Sequence, residues 1–292
     1  MHCTKSRCAA SQLAVVVRSQ LRFFRLAIIA LIVLLSGASR AQSALVIGSF
    51  DVPRGGIDSL ADAPQQAQAR AFIQSYRPDV SFQSTGTLTP GFLAGVNVLV
   101  IGDQTGLITA ITPLSPSEQT AMANFVMAGG NVAIFTDNQQ LDPAIGDASR
   151  ASLLSPFGLQ TTGVSLAPSA TVIDPTHPIA DGPFGTLTQI SLSHSGWFSD
   201  LGPYAHAVAN ENAFNMPMLA AIERGAISPT SGRVVFVADS NVFDPPFASG
   251  PVLLGNLTAY LVPEPASLVQ MALGLGVLVF AGARHRGKRA AG

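Results

Sequence analysis

Four short apolar runs set the frame for this chain: residues 44–50 (ALVIGSF), 96–101 (VNVLVI), 131–136 (NVAIFT) and 233–238 (RVVFVA). Each is β-rich and continuous, as a strand buried on both faces requires, whereas a strand with one wet face would alternate apolar and polar residues. Helical signals fall between the runs. Ser115-Pro116-Ser117-Glu118 offers an N-cap serine, a proline at the first helical position and a glutamate three residues after the cap. In such a capping box each side chain satisfies a free backbone N–H. Ala121, Met122, Phe125 and Val126 follow at helical spacing, and Gly129-Gly130 supplies the stop before the next run. Residues 65–76 form a second expected helix, with Ala69, Phe72, Ile73 and Tyr76 on one face, and residues 217–224 a third, short one. Strand, helix, strand at this spacing predicts right-handed crossovers and an α/β domain with a doubly wound, mainly parallel sheet. Residues 142–215 are rich in Pro, Gly, Ser and Thr and are expected to form loops and edge strands, with strand candidates at 170–173 and 189–192.

The two ends differ from this middle block. Residues 1–25 carry Lys5, Arg7, Arg18, Arg22 and Arg25 without an acid, and residues 26–35 (LAIIALIVLL) are an unbroken apolar run. Basic segment, apolar run and the small residues Ser39 and Ala41 predict a secretory signal peptide over 1–41, cut by signal peptidase after passage through the Sec translocon. Ten apolar residues make only about 15 Å of helix, half of a hydrocarbon core of ~30 Å. Both cysteines, Cys3 and Cys8, lie in this leader, so the expected mature chain has no disulfide, thiolate metal site or cysteine nucleophile. At the other end, residues 268–283 form a largely apolar run of about 24 Å as helix. It is preceded by Pro263-Glu264-Pro265 and followed by Arg284, Arg286, Lys288 and Arg289. A short transmembrane helix with a basic stop on its cytoplasmic side is expected there.

Those last thirty residues closely resemble the PEP-CTERM sorting signal of Gram-negative bacteria, whose motif, hydrophobic stretch and basic tail appear here in order. The resemblance implies a transient inner-membrane anchor, handling by an exosortase, and delivery to the cell surface or extracellular matrix. It divides the chain into a signal peptide (1–41), an exported domain (42–262) and a sorting signal (263–292). The exported block has no lysine, and its six arginines stand against sixteen carboxylates, a formal charge of −10. Such a block is a poor binder of phosphate backbones, so no nucleic-acid partner is expected.

A second resemblance rests on residues 97–101 (NVLVI), 114–137 (LSPSEQTAMANFVMAGGNVAIFTD), 177–182 (HPIADG) and 232–241 (GRVVFVADSN). These look like the class I glutamine amidotransferase-like fold, in its non-catalytic, DUF4350-like extracytoplasmic branches. Amidotransferases of that superfamily present a cysteine on a sharp strand-to-helix turn. The corresponding strand here ends in Thr136-Asp137-Asn138, and without a thiol that glutamine hydrolysis is excluded.

Each of the four runs ends at or near an aspartate: Asp51, Asp103, Asp137 and Asp239. In a parallel sheet these carboxylates lie along the carboxyl edge, where open α/β folds bind ligands. Converging, they would suit Ca²⁺, Mg²⁺ or a hydroxyl-rich ligand; taken singly, each caps the turn after its strand. His177, His194 and His206 accompany several serines, but no Gly-x-Ser-x-Gly elbow or His-Glu-x-x-His pair frames them, so structural roles are the default. Trp197-Phe198 and Tyr204 suggest a sugar-stacking platform or a satellite-core anchor. The expectation is therefore a surface-sorted, non-enzymatic protein, without catalytic residues or a required cofactor, that binds an exopolysaccharide or surface partner protein. The alternatives are a metal-assisted hydrolase acting through Asp137 and Asp239, and a structural matrix protein.

Overall fold

All four apolar runs are strands and all four lie in one sheet. The structure, a computed structural model, describes residues 45–142, 144–243 and 250–262. The expected signal peptide, sorting motif, transmembrane helix and basic tail lie outside the described residues. Residues 44–263 form one compact unit containing the entire described core.

In chain order the strands are β1 (Val46–Phe50), β2 (Ser81–Thr85), β3 (Val98–Gly102), β4 (Asn131–Phe135), β5 (Gln160–Thr162), β6 (Ser169–Val172), β7 (Asp181–Gly182), β8 (Gly185–Thr186), β9 (Gln189–Ser191), β10 (Trp197–Asp200), β11 (His206–Glu211), β12 (Pro217–Ile222) and β13 (Val234–Val237). The longer helices are α1 (Ala67–Tyr76), α2 (Pro116–Met127), α3 (Gly146–Leu154) and α4 (Gly250–Leu261). Nine strands make the main sheet in the order β2-β1-β3-β4-β13-β12-β11-β6-β9, and β10 pairs with β5 in a separate ribbon. From β1 the chain passes to β2 on one side and then crosses to β3 on the other, so the winding reverses between β1 and β3. The first five strands of that order are parallel; β12, β11, β6 and β9 each run antiparallel to their neighbour.

The α/β class and the mostly parallel sheet agree with the sequence: five neighbouring strands are parallel, and β12, β11, β6 and β9 extend the sheet antiparallel at one side. Its parallel strands are the ones recognisable as unbroken apolar runs, because helices cover both faces; every residue of β4 and β13 is buried. The short helix expected at 217–224 is instead β12. Met-Leu-Ala-Ala-Ile after Pro217 is rich in helix formers, but among residues other than Gly and Pro propensity differences amount to at most about 0.7 kcal/mol per residue. Ladders to β11 and β13 on both sides, with residues 218–222 almost wholly inaccessible, outweigh that preference. Residues 146–154, expected as loop, form α3.

The helix at 116–127 starts as its sequence requires. Ser115 Oγ accepts the Glu118 N–H at 3.4 Å, and Glu118 Oε2 accepts the Ser115 N–H at 2.9 Å. Glu118 does more than cap: it also accepts the Leu88 N–H at 3.1 Å and pairs with Arg54, which Asp51 positions by capping the one-turn helix Val52–Gly55.

Candidate functional site at the carboxyl edge of the sheet

The parallel strands deliver their aspartates to one edge, and the loops there are tied together through them. Asp51 is half-buried and spends Oδ1 on the Arg54 N–H at 3.2 Å. Asp239, fully buried, accepts the Ser193 N–H at 2.7 Å on one oxygen and the Asn241 N–H at 2.9 Å on the other. Asp137 Oδ1 accepts the backbone and side-chain N–H groups of Asn138, at 2.6 and 2.7 Å. Its Oδ2 accepts the Gln104 side-chain amide and the Ser240 hydroxyl, the latter at 3.2 Å. Asp103 Oδ2 in turn accepts the Asp137 N–H at 3.2 Å.

Asp103 and Asp137 are therefore neighbours, and both are buried. Removal from water raises the Asp103 carboxyl to about 8, and the adjacent Asp137 charge reinforces the shift against the pull of Arg150. Burial raises Asp137 too, opposed by the hydrogen bonds of Asn138 and Ser240. Asp137, with four donors around it, is the member built to carry charge, and Asp103 the one that keeps its proton. Asp58, which the sequence reading missed, joins the network by accepting the Gln104 N–H at 3.1 Å.

The four aspartates do not form a common cation site. Among the described residues, the group of three or more metal-ligating side chains whose ligand atoms all lie within 4.8 Å is a different one: His177, His206 and Glu223. Asp51 is occupied at its own helix cap, and Asp239 is turned to the 193 and 241 amides, so the set divides into turn caps and one coupled pair.

Above this buried layer stands an exposed rim. The loop after β3 carries Leu107 and Ile108, which are 87% and 73% exposed. Asn138 Nδ2 holds the His194 carbonyl at 2.6 Å, and the Gly196 N–H donates to Ala238 O at 2.8 Å, pinning the segment that leads into β10. His194 itself is exposed, with a left-handed φ of 60° that the pinned segment imposes. The expected platform of Trp197, Phe198 and Tyr204 is corrected: Phe198 faces inward against Phe236, and the partner of Trp197 is Phe214, with ring centroids 4.9 Å apart. Phe214 sits at the tip of the β11–β12 hairpin, which reaches the same edge because β12 runs antiparallel to β13. Its polar flanks, Asn212 and Asn215, hide it from any pattern of apolar periodicity; an aromatic at the tip of a short hairpin is the one signal that could have flagged it.

No protein-family model and no curated protein sequence matches this chain. Solved structures match in fold. The mmIFT52 N-terminal domain is 12% identical with a TM-score of 0.53, over 74% of this chain and 94% of that one. The cytoplasmic protein STM3548 from Salmonella typhimurium is 12% identical with a TM-score of 0.50, over 74% and 98%. A GMP synthase-like protein from Thermoplasma acidophilum is 10% identical with a TM-score of 0.50, over 80% and 99%. This chain shares their fold. At these identities the similarity extends to architecture alone.

The His177 cluster lies away from this rim, where β11 begins and β12 ends. His177 Nε2 is 3.0 Å and His206 Nε2 3.9 Å from Glu223 Oε1. His177 Nδ1, however, accepts the Ile179 N–H at 3.1 Å. A neutral imidazole that accepts at Nδ1 carries its proton at Nε2, so Nε2 donates to Glu223 and has no lone pair for a metal. Metal-bound histidines show the opposite arrangement, with the second nitrogen donating to an acceptor. Burial lowers the His177 pKa, which keeps the ring in this neutral, doubly bonded state.

Proposed function

We propose that this chain is an exported, surface-sorted, non-enzymatic protein whose doubly wound, amidotransferase-like domain binds an extracellular matrix component or a surface partner protein through the rim of its carboxyl edge. The observation that carries this reading is the fate of the strand-end carboxylates. Asp103, Asp137 and Asp239 are buried beneath the rim and bonded to the amides of the loops they organise, so they shape a surface. A hydrolase acting through Asp137 and Asp239 would instead need their oxygens turned toward substrate or a shared cation. The leader and the Pro263-Glu264-Pro265 signal support export, exosortase handling and a final place at the cell surface or in the matrix.

Two measurements test the reading. The full chain, produced in a Gram-negative host with and without its exosortase, is expected in the surface and matrix fraction only with the enzyme, and in the inner membrane when Pro263-Glu264-Pro265 is replaced by alanines. The purified 42–262 domain is expected to bind matrix material and to turn over no glycan or ester. Steady turnover by the pure domain would sink the non-enzymatic assignment.

A further inference from the structure

The rim's chemistry narrows what it can hold. Phe214 is 58% exposed although its ring is packed on Trp197, so this pair presents aromatic surface to solvent. Its supports are rigid. Trp197 stands opposite Thr162 in the β10–β5 ribbon and lies against Gly163, whose φ of 78° suits glycine and where a Cβ would run into the indole. Phe214 is fixed by Glu211, a buried carboxylate that accepts the Phe214 N–H at 2.7 Å and the Ala213 N–H at 2.8 Å.

Along β5, the strand paired with the one that carries Trp197, opens a cleft of about 540 Å³ whose walls include Gln139, Gln160, Thr161 and Ser155. Gln139 joins the two features: its N–H donates to Gly163 O at 3.0 Å and its side-chain amide to Thr162 Oγ1 at 2.9 Å. The charged side chains lining the cleft, Asp147 and Arg150, are paired with each other. A charged ligand would find no counter-charge here, and an apolar helix would bury amides without partners. A pyranose has the matching surfaces, with C–H faces for the aromatic rings and hydroxyls for the amides and threonine.

We infer that this ledge, Trp197 and Phe214 continued by the Gln139 cleft, binds a neutral, hydroxyl-rich polysaccharide chain. The inference rests on the binding reading above and specifies its site and ligand class. It is tested by electrophoresis of the purified 42–262 domain through gels containing a neutral polysaccharide (β-glucan, dextran, galactomannan or xylan), with alginate as the anionic comparison. Retardation by at least one neutral polysaccharide is expected. Affinity should fall at least tenfold in Phe214→Ala and several-fold in Gln139→Ala, with the Tm of both variants unchanged; Trp197→Ala should match Phe214→Ala if it folds. Retardation by none of the four, or by alginate alone, overturns the inference. Binding to crude matrix that is equal in wild type and Phe214→Ala would also overturn the ledge while leaving the binding reading intact. If crude matrix does not bind at all, both fall.

Discussion

Asp103 and Asp137 meet across the ends of β3 and β4, where Oδ2 of Asp103 accepts the backbone N–H of Asp137 at 3.2 Å. One hydrogen bond thus ties the Asp103 carboxyl to the backbone of Asp137; burial acts to neutralise both side chains, and at Asp103 the Asp137 charge adds to it. The pair is resolved by unequal surroundings: donors converge on Asp137, while Asp103 Oδ1 is buried without a hydrogen-bond partner.

The first prediction concerns pH. With its carboxyl raised to about 8, Asp103 holds a proton in the folded state that the unfolded chain releases near its ordinary value. Stability from this group is therefore complete only below about pH 4 and falls as pH rises from about 4 to 8. Asp103→Asn removes the titration while keeping an oxygen for the Asp137 N–H. Thermal unfolding at pH 5 and pH 8 should show a smaller loss in the variant than in the wild type; identical losses would mean that Asp103 is ionised in the fold.

Glu118 predicts the opposite slope. Burial pushes its carboxyl up, but Arg54, the Ser115 and Leu88 amides and the Ser115 hydroxyl outweigh that and hold it at about 2. Its contribution is present above the ordinary glutamate range and disappears as pH falls from about 4.5 toward 2. Glu118→Gln leaves Arg54 without its counter-charge and should cost about 2 kcal/mol at pH 7. The difference from wild type, read by urea unfolding, should shrink at pH 3; a constant difference would assign Glu118 a packing role only.

Zinc addresses the His177 cluster. Because Nε2 of His177 carries the proton that Glu223 accepts, Zn²⁺ at roughly 100 μM, about a hundred times a micromolar dissociation constant, should leave the Tm at pH 7 unchanged. A rise of several degrees that His206→Ala abolishes would show that Ile179 gives up its bond to Nδ1 and that a metal takes Nε2.

How much of this was legible follows from what each feature depends on. β1, β3, β4 and β13 could be read directly because burial on both faces leaves an unbroken apolar run, and the start of α2 because a capping box is complete within four residues. β12 could not, since what makes Met218 to Ile222 a strand is the pair of neighbours supplied by distant segments. The aspartates were legible as positions at strand ends. Which of them would touch depended on side-chain direction and on donors such as Gln104 and Ser193 that carry no local signal. The Trp197–Phe214 contact joins a ribbon to a hairpin and leaves no spacing to read.

Glu211 supplies the last prediction. Oε1 accepts the N–H groups of Phe214 and Met216 at 2.7 and 3.3 Å, and Oε2 accepts Ala213 N–H and the Ser165 hydroxyl at 2.8 and 2.7 Å. Four donors converge on one inaccessible carboxylate, so the hairpin tip is held from within. Glu211→Gln turns one acceptor into an N–H that faces other N–H groups, at a cost of about 1 to 3 kcal/mol. The loss should concentrate at residues 212–216 and release Phe214 from Trp197. Because Trp197 is the chain's single tryptophan, its fluorescence reports that contact directly. Glu211→Gln should shift the emission to the red, as Phe214→Ala should, and the two shifts together should not exceed that of Phe214→Ala alone. Emission that stays at the wild-type wavelength in Glu211→Gln would mean that ring packing fixes the tip by itself and that the buried carboxylate serves only the Ser165 side of the hairpin.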